Sequence, residues 1–364
     1  MKYYNLKKIL SKNAHYNIIF GERSNGKTYA LLEYGLKNYC NTGEQIAYLR
    51  RYKEDIIGKR ASNIWNAIIE NKLVEKYTRG KYTTIHYFSG AFYLANYDEK
   101  LGKNVPNWNE CIGYVFSLTD MEHNKSTSYP KITTIVFDEF LTRQYYLTDE
   151  FILFMNTLST IIRERTNVKI FMLGNTVNKY CPYFKELGLK HIDHMKQGTI
   201  DVYSYGDSKL KVAVEYVSAS NSLRKKSNLY FAFNNPKLEM IKSGTWEIDN
   251  YPHCPYKYSK SDILFTYFIE FDNALLQCEI VQKDNKIFTF IHEKTTPIKN
   301  IESDIIFSTN YSANANHFRN ILKPTTTITK KIAMFYLTDN VFYQNNEVGE
   351  IIRNYLLECK KNSL

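Results

Sequence analysis

Gly21-Glu22-Arg23-Ser24-Asn25-Gly26-Lys27-Thr28 follows the apolar run Tyr16 to Phe20 and opens a stretch with helical spacing through Tyr29 and Leu32. This is a complete G-x-x-x-x-G-K-T between a strand and a helix, and those flanks are what separate a phosphate-binding loop from a chance match. Gly21 and Gly26 let the backbone wrap with its N–H groups turned inward, and the helix start adds its positive dipole end. Residues Glu22 to Asn25 complete the cradle for ATP. Lys27 is expected to bridge the β- and γ-phosphates, and the Thr28 hydroxyl to hold Mg²⁺.

Two further segments extend the site. Ile132-Thr133-Thr134-Ile135-Val136-Phe137-Asp138-Glu139-Phe140 reads as a buried strand ending in two carboxylates. Asp138 suits a Mg²⁺ contact and Glu139 suits polarising an attacking water. Alone, such an ending is often a strand meeting a loop; downstream of a phosphate-binding loop it is read as catalytic. Lys169 to Thr176 is another apolar strand closing on Gly174-Asn175-Thr176. Asn175 there can hydrogen-bond the γ-phosphate or the water and report hydrolysis, or can simply form a turn.

The first two hundred or so residues alternate β-rich runs with helical periodicity, the pattern of a mostly parallel sheet flanked by helices. Strands are expected at Tyr16–Phe20, Gln45–Leu49, Ile112–Leu118, Ile132–Phe137 and Val168–Leu173. Thr148 and Asp149 are placed to cap a helix whose apolar residues Phe151, Phe154, Met155, Leu158, Ile161 and Ile162 recur at three and four. Lys209 to Val217 alternates like an edge strand closing the domain. The division expected is an ATPase domain at 1–217, a linker or lid at 218–246 and a C-terminal domain at 247–364. In the last, Ile263–Phe271, Ala274–Val281 and Lys286–His292 form an antiparallel meander turning at Asp272-Asn273 and Asp284-Asn285. Val348 to Cys359 follows as an amphipathic helix.

The 364 residues carry a formal net charge of +11 and a pI of about 9.0, which favours a polyanionic partner. With 44% hydrophobic residues the chain can bury a sizeable core, and it is neither disordered nor fibrous in composition. Six scattered cysteines without a C-x-x-C pair read as reduced, mostly buried thiols of a cytosolic protein. No apolar run approaches the length of a membrane helix and no signal-peptide core stands at the N-terminus. His191-Ile192-Asp193-His194 and His253-Cys254 lack the further ligands a metal site needs. Arg224 to Lys226 is either a solvated face or a phosphate contact. The 31 tyrosines and 21 phenylalanines are expected mostly in core and interfaces, with base stacking as the other use.

The succession GERSNGKT, TTIVFDEF and KIFMLGNT, with IAYLRRYKEDI and YVFSLTDMEHNKS, resembles the DNA-packaging (encapsidation) ATPases of φ29-like bacteriophages, relatives of the large terminase subunit. What this resemblance implies is an ATPase domain of the additional-strand, catalytic-glutamate type and a small α+β, RNase H-like domain that is a vestige of a nuclease. It also implies a homo-oligomeric ring, a pentamer in the family, pumping double-stranded DNA at the portal protein, with a scaffold RNA as a further candidate partner. Each site is then completed by a neighbouring subunit. Arg163 and Arg165, of which Arg165 is favoured, match the family's arginine finger, and Lys125 a second basic residue supplied across the boundary. Both arginines equally suit a helix C-terminus, whose dipole they complement.

Two rivals remain at this point: a terminase with a live nuclease using Glu270 or Glu279, the strand-borne acids of the meander, and a nucleotide-gated assembly adaptor. A P-loop kinase would not need the Asp-Glu pair.

Overall fold

The computed structural model describes residues 4–23, 25–120, 127–143, 146–147, 149–176, 180–217, 246, 249–272 and 274–361. The chain divides into two compact units, Met1–Trp246 and Glu247–Leu364.

In the first unit the strands are β1 (Tyr16–Gly21), β2 (Gln45–Arg50), β3 (Thr84–Phe88), β4 (Ala91–Asp98), β5 (Lys103–Ser117), β6 (Ile132–Asp138), β7 (Lys169–Asn175), β8 (Ile200–Tyr205) and β9 (Leu210–Tyr216). The helices among them are α1 (Lys7–Leu10), α2 (Lys27–Thr42), α3 (Gly58–Ser62), α4 (Asn66–Glu70), α5 (Leu73–Tyr77), α6 (Glu150–Ile162) and α7 (Pro182–Glu186). One nine-stranded sheet runs in the order β3-β4-β5-β2-β6-β7-β1-β9-β8. The six strands from β5 to β9 are mutually parallel; β4, β3 and β8 are antiparallel additions. The strand β7 stands between the loop-bearing β1 and the acidic β6, which is the additional-strand arrangement. Every residue of β1 and β6 is buried, because helices cover both faces of a parallel sheet. On one face α6 and α7 supply Phe154, Leu158, Ile161, Tyr183 and Phe184. On the other, Ile9, Leu31, Leu32, Leu36, Ile68 and Val74 pack from α1, α2, α4 and α5.

Four expectations need correction. First, β9 is not an edge strand: β8 pairs along its outer edge antiparallel. Both its faces are buried besides, with Ala213 inaccessible and Glu215 taken up by the Tyr4 hydroxyl at 2.5 Å. Second, the strand read at Ile112–Leu118 is the end of a 15-residue strand that leads the hairpin layers β3 and β4 away from the parallel core. Its outer half carries exposed polar residues and so hides from a search for apolar runs. Third, Asp149 takes the cap position of α6 in a left-handed conformation without a side-chain cap; instead the Glu150 carboxylate reaches back to the Leu147 N–H at 2.7 Å. Fourth, all six cysteines are free, but only Cys181, Cys278 and Cys359 are buried and the others are half-buried.

Of the linker read at 218–246 only Trp246 is among the described residues. It packs on Phe20, Tyr216 and Phe184, with ring centroids 5.2, 6.2 and 6.4 Å away. Arg224 to Lys226 lies outside the described residues.

The second unit holds β10 (Ile263–Phe271), β11 (Ala274–Lys283), β12 (Lys286–Glu293), β13 (Ile306–Ser308), β14 (His317–Phe318) and β15 (Val341–Tyr343), with helices α8 (Thr327–Leu337) and α9 (Asn346–Lys361). Its sheet runs β14-β13-β10-β11-β12-β15, and β11 alone is antiparallel to its neighbours. This is the RNase H-like order, with the meander at its centre. Asp284 and Asn285 both have positive φ, 47° and 62°, as a tight two-residue hairpin turn requires. The short strands β13 to β15 and the helix α8 carry too little periodicity to be read from the sequence.

Candidate nucleotide site

The phosphate-binding loop, the acid pair and Asn175 come from the C-terminal ends of β1, β6 and β7, which parallel pairing sets side by side. Gly26, with φ +89°, turns the chain into α2, a conformation that costs a residue bearing Cβ. A cavity of about 660 Å³ opens there, lined by Arg23, Asn25 to Thr28, Asp138, Glu139 and Asn175 among others. Gly174 lets the loop after β6 close over β7: a Cβ on it would lie 2.7 Å from the Leu141 Cδ1.

Lys27 is buried, and its Nζ donates to the Glu22 carbonyl at 2.7 Å and to Asn175 Oδ1 at 3.4 Å. Burial pushes its ammonium down to about 8, against the pull of Asp138 and Glu22. Asp138 is held on both oxygens: Oδ1 accepts from the Glu139 N–H at 3.0 Å, and Oδ2 from the Thr28 hydroxyl at 3.1 Å and the Tyr48 hydroxyl at 2.7 Å. The Asn25 amide is 5% exposed and neither its nitrogen nor its oxygen has a hydrogen-bond partner. A desolvated cation, an orphaned amide and a hydroxyl–carboxylate pair at one cavity fit a triphosphate with its divalent cation.

Glu139 is the strained member. Its φ of +58° places a non-glycine residue in the left-handed region, at a cost of about 1 kcal/mol or more. Its side chain is 57% exposed, and its carboxylate pairs with Arg50 at 2.5 Å. Arg51, the next residue along, turns inward to the Glu139 and Phe140 carbonyls and to Glu150. The sequence pattern gives Tyr48, Arg50, Arg51 and Glu150 no individual role. The signal available was a pair of arginines closing the apolar strand Ile46 to Leu49.

The structure does not bring Arg163 or Arg165 to this cavity. Both follow α6 at the opposite end of the sheet, where Arg165 reaches the first residue of β6. The Arg165 guanidinium donates to four carbonyls, of Ile161 (2.7 Å), Ile162 (3.2 Å), Pro130 (3.0 Å) and Ile132. Arg163 is exposed, with φ +53°, and donates to the Thr127 carbonyl at 3.1 Å. Arg165 is thus spent on closing α6, whereas Arg163 faces solvent. Ser24 and Lys125 lie outside the described residues.

In the second unit Glu279 is occupied: it accepts from Tyr258 and Gln277, each at 2.8 Å, and pairs with His292 at 3.5 Å. That contact lowers the Glu279 carboxyl and raises the His292 imidazole. Glu270 shares its face of β10 with Thr266, the partner of Glu279, and so stands about 13 Å farther along the strand. Among the described residues no three His, Cys, Asp or Glu side chains gather where a metal could bind. His191 stacks on Tyr203. No helix of the described residues is long and apolar enough to cross a membrane.

Residues 1–227 match the family described as Podovirus DNA encapsidation protein (Gp16). The chain belongs to this family. Within it, the chain is 31% identical over 189 residues to the DNA packaging proteins of Bacillus phage phi29 and Bacillus phage PZA, a stretch covering 50% of this chain and 49% of each relative. It therefore spans about half the length of the curated relatives it matches. The fold is shared more widely. The bacteriophage phi-29 viral genome packaging motor assembly contains a chain similar in structure, with TM-score 0.58 and 20% identity, covering 100% of this chain and 99% of that one. A chain of the phi-28 gp11 DNA packaging motor gives TM-score 0.53 and 18% identity, covering 98% of each.

Because four main-chain carbonyls converge on Arg165, Arg165→Ala is expected to lower stability by about 2 kcal/mol, while the exposed Arg163→Ala changes it by less than about 0.5 kcal/mol. Denaturant titration of the two variants measures this; equal midpoints would show that Arg165 is not a structural clamp.

Proposed function

We propose that the chain is a subunit of a DNA-packaging motor that hydrolyses ATP to drive double-stranded DNA into a procapsid. The observation that carries this reading is the meeting of Lys27, Thr28, Asp138, Glu139 and Asn175 at one cavity. Membership in the encapsidation family, and relatives named DNA packaging proteins, support its direction.

The geometry supports the following roles. Lys27 leaves the Glu22 carbonyl for the β- and γ-phosphates, and backbone N–H groups of the loop, with Arg23 and Asn25, complete the cradle. Thr28 and Asp138 would hold Mg²⁺, which neutralises charge on the phosphates. Glu139, released from Arg50, accepts a proton from the attacking water. Asn175 already touches Lys27 and reports the loss of the γ-phosphate through β7. Arg163 is the residue offered to a neighbouring subunit's site, in place of the clamped Arg165, and Lys125 remains a second candidate.

The assembly proposed is a homo-oligomeric ring, a pentamer by resemblance, at the portal protein in the infected bacterial cytoplasm, with a scaffold RNA as a further partner. The unit 1–246 is the motor. The RNase H-like unit binds nucleic acid or portal, since its Glu279 is already committed to internal hydrogen bonds. DNA contacts of a chain with charge +11 should be mainly to phosphates, steep in salt and indifferent to sequence.

Glu139→Gln is expected to cut DNA-stimulated phosphate release by at least about 100-fold while nucleotide affinity stays within about threefold; unchanged turnover would remove Glu139 from the reaction. The free-state Lys27 value near 8 sets a pH dependence, because phosphates bind the charged ammonium. Nucleotide affinity should be flat below about pH 8, then fall by up to about tenfold per unit above it, with proton uptake on binding. Calorimetry in buffers of different ionisation enthalpy reads both, and a flat profile to pH 9.5 would contradict it. Mixing Lys27→Ala with Arg163→Ala subunits should restore part of the ATPase activity that each lacks, as sites shared between subunits require; two additive zeros would show the sites to be self-contained.

A further inference from the structure

The strained main chain at Glu139 persists only where its surroundings over-determine it: its N–H donates to Asp138, the Phe140 N–H to the Leu173 carbonyl, and a third restraint is a group buried behind the site. Arg51 donates from Nη1 to the Glu139 carbonyl at 3.2 Å and from Nη2 to the Phe140 carbonyl at 2.7 Å. Its Nε and Nη2 also grip the two oxygens of Glu150, at 2.8 and 2.9 Å. Glu150 is held in turn by the Leu147 N–H at 2.7 Å and the Tyr183 hydroxyl at 2.8 Å. Arg51 is 6% and Glu150 2% exposed, and neither lines the nucleotide cavity. A buried ion pair adds little stability over a well-packed apolar pair, so its presence here calls for another use.

We propose that Arg51, locked by Glu150, is a positioning residue for the glutamate assigned above as the base. By fixing the Glu139 and Phe140 carbonyls, and so the two peptides that flank Phe140, it sets the direction in which the Glu139 side chain leaves the backbone. The neighbouring Arg50 holds the carboxylate itself; Arg51 holds the frame from which it is aimed. The pair also ties this frame to α6, since Glu150 is its first residue, so any displacement at the start of that helix reaches the acid through one guanidinium. This inference rests on the ATPase reading.

The test removes the charges without opening a hole. The double variant Arg51→Met/Glu150→Leu is expected to stay folded but melt several degrees below the wild type, because the charges leave together while the Glu139 and Phe140 carbonyls, the Leu147 N–H and the Tyr183 hydroxyl lose their partners. It should bind a fluorescent ADP analogue with unchanged affinity within about threefold, yet turn over ATP at least about 30-fold more slowly, since misplacement of the base by about an ångström is enough for such a loss. Amide exchange at Phe140 and Leu141 should quicken by about tenfold or more. Arg51→Lys, which keeps the charge but cannot fork to carboxylate and carbonyls together, should show the same split and keeps the question open to refutation if the double variant does not fold. Variants that retain turnover within threefold and wild-type exchange in the loop would reduce the pair to a simple tie for α6. If the wild type hydrolyses no ATP, the functional reading fails by itself, and the exchange measurement still decides whether Arg51 holds the loop.

Discussion

Everything at the candidate site depends on one strand being laid between two others. With β7 between β1 and β6, the loop that carries Lys27 and the strand that ends in Asp138 and Glu139 stand two strand spacings apart, about 10 Å. That is a gap a triphosphate can span, and the end of the intervening strand puts Asn175 into it. Helices on both faces of this sheet exclude water from β1 and β6. Lys27 is buried as a consequence, and its ammonium is poised against a neutral state. Direct adjacency of β1 and β6 would close the gap; a second inserted strand would set the acids out of reach.

The acids themselves illustrate how a short segment is made to do two things. Asp138 is satisfied from three directions, by Thr28, Tyr48 and its neighbour's N–H, and so stays fixed across the loop. Glu139 is displaced from regular strand geometry by its positive φ and pairs with Arg50. The fold thus separates a carboxylate held by three donors from an exposed one held by a single ion pair within two residues. The cost is backbone strain, and the two arginines that close β2 divide the work of containing it: Arg50 on the side chain, Arg51 on the main chain.

The helix α6 joins the two ends of the sheet. Its first residue belongs to the Arg51 cluster beside the acids, and its last turn is closed by Arg165 against the start of β6. Arg163 projects just beyond. A helix of 13 residues is about 20 Å long, and with both ends anchored by guanidinium groups it behaves as a strut along β6. The arginine that the family resemblance favours on position proves to be the anchor, and its neighbour the exposed one, because four carbonyls compete successfully for a guanidinium.

The sequence by itself determined the parallel core, the phosphate-binding loop and the acid pair, since buried strands read as apolar runs and since glycine, lysine and hydroxyl at fixed spacing leave few conformations open. It also determined the meander and the long C-terminal helix of the second unit, through alternation and heptad-like spacing. Only the tertiary structure decided that β9 is covered by β8, that a polar hairpin extends the sheet beyond β5, and that Tyr48, Arg50, Arg51 and Glu150 converge on the acid loop. The last of these outcomes depends on contacts between residues about 90 to 100 positions apart, for which a linear pattern holds no record, and the first two on strands too polar or too short to stand out as apolar runs. A buried arginine in particular looks like any other arginine until the carboxylate and carbonyls that satisfy it are brought around it.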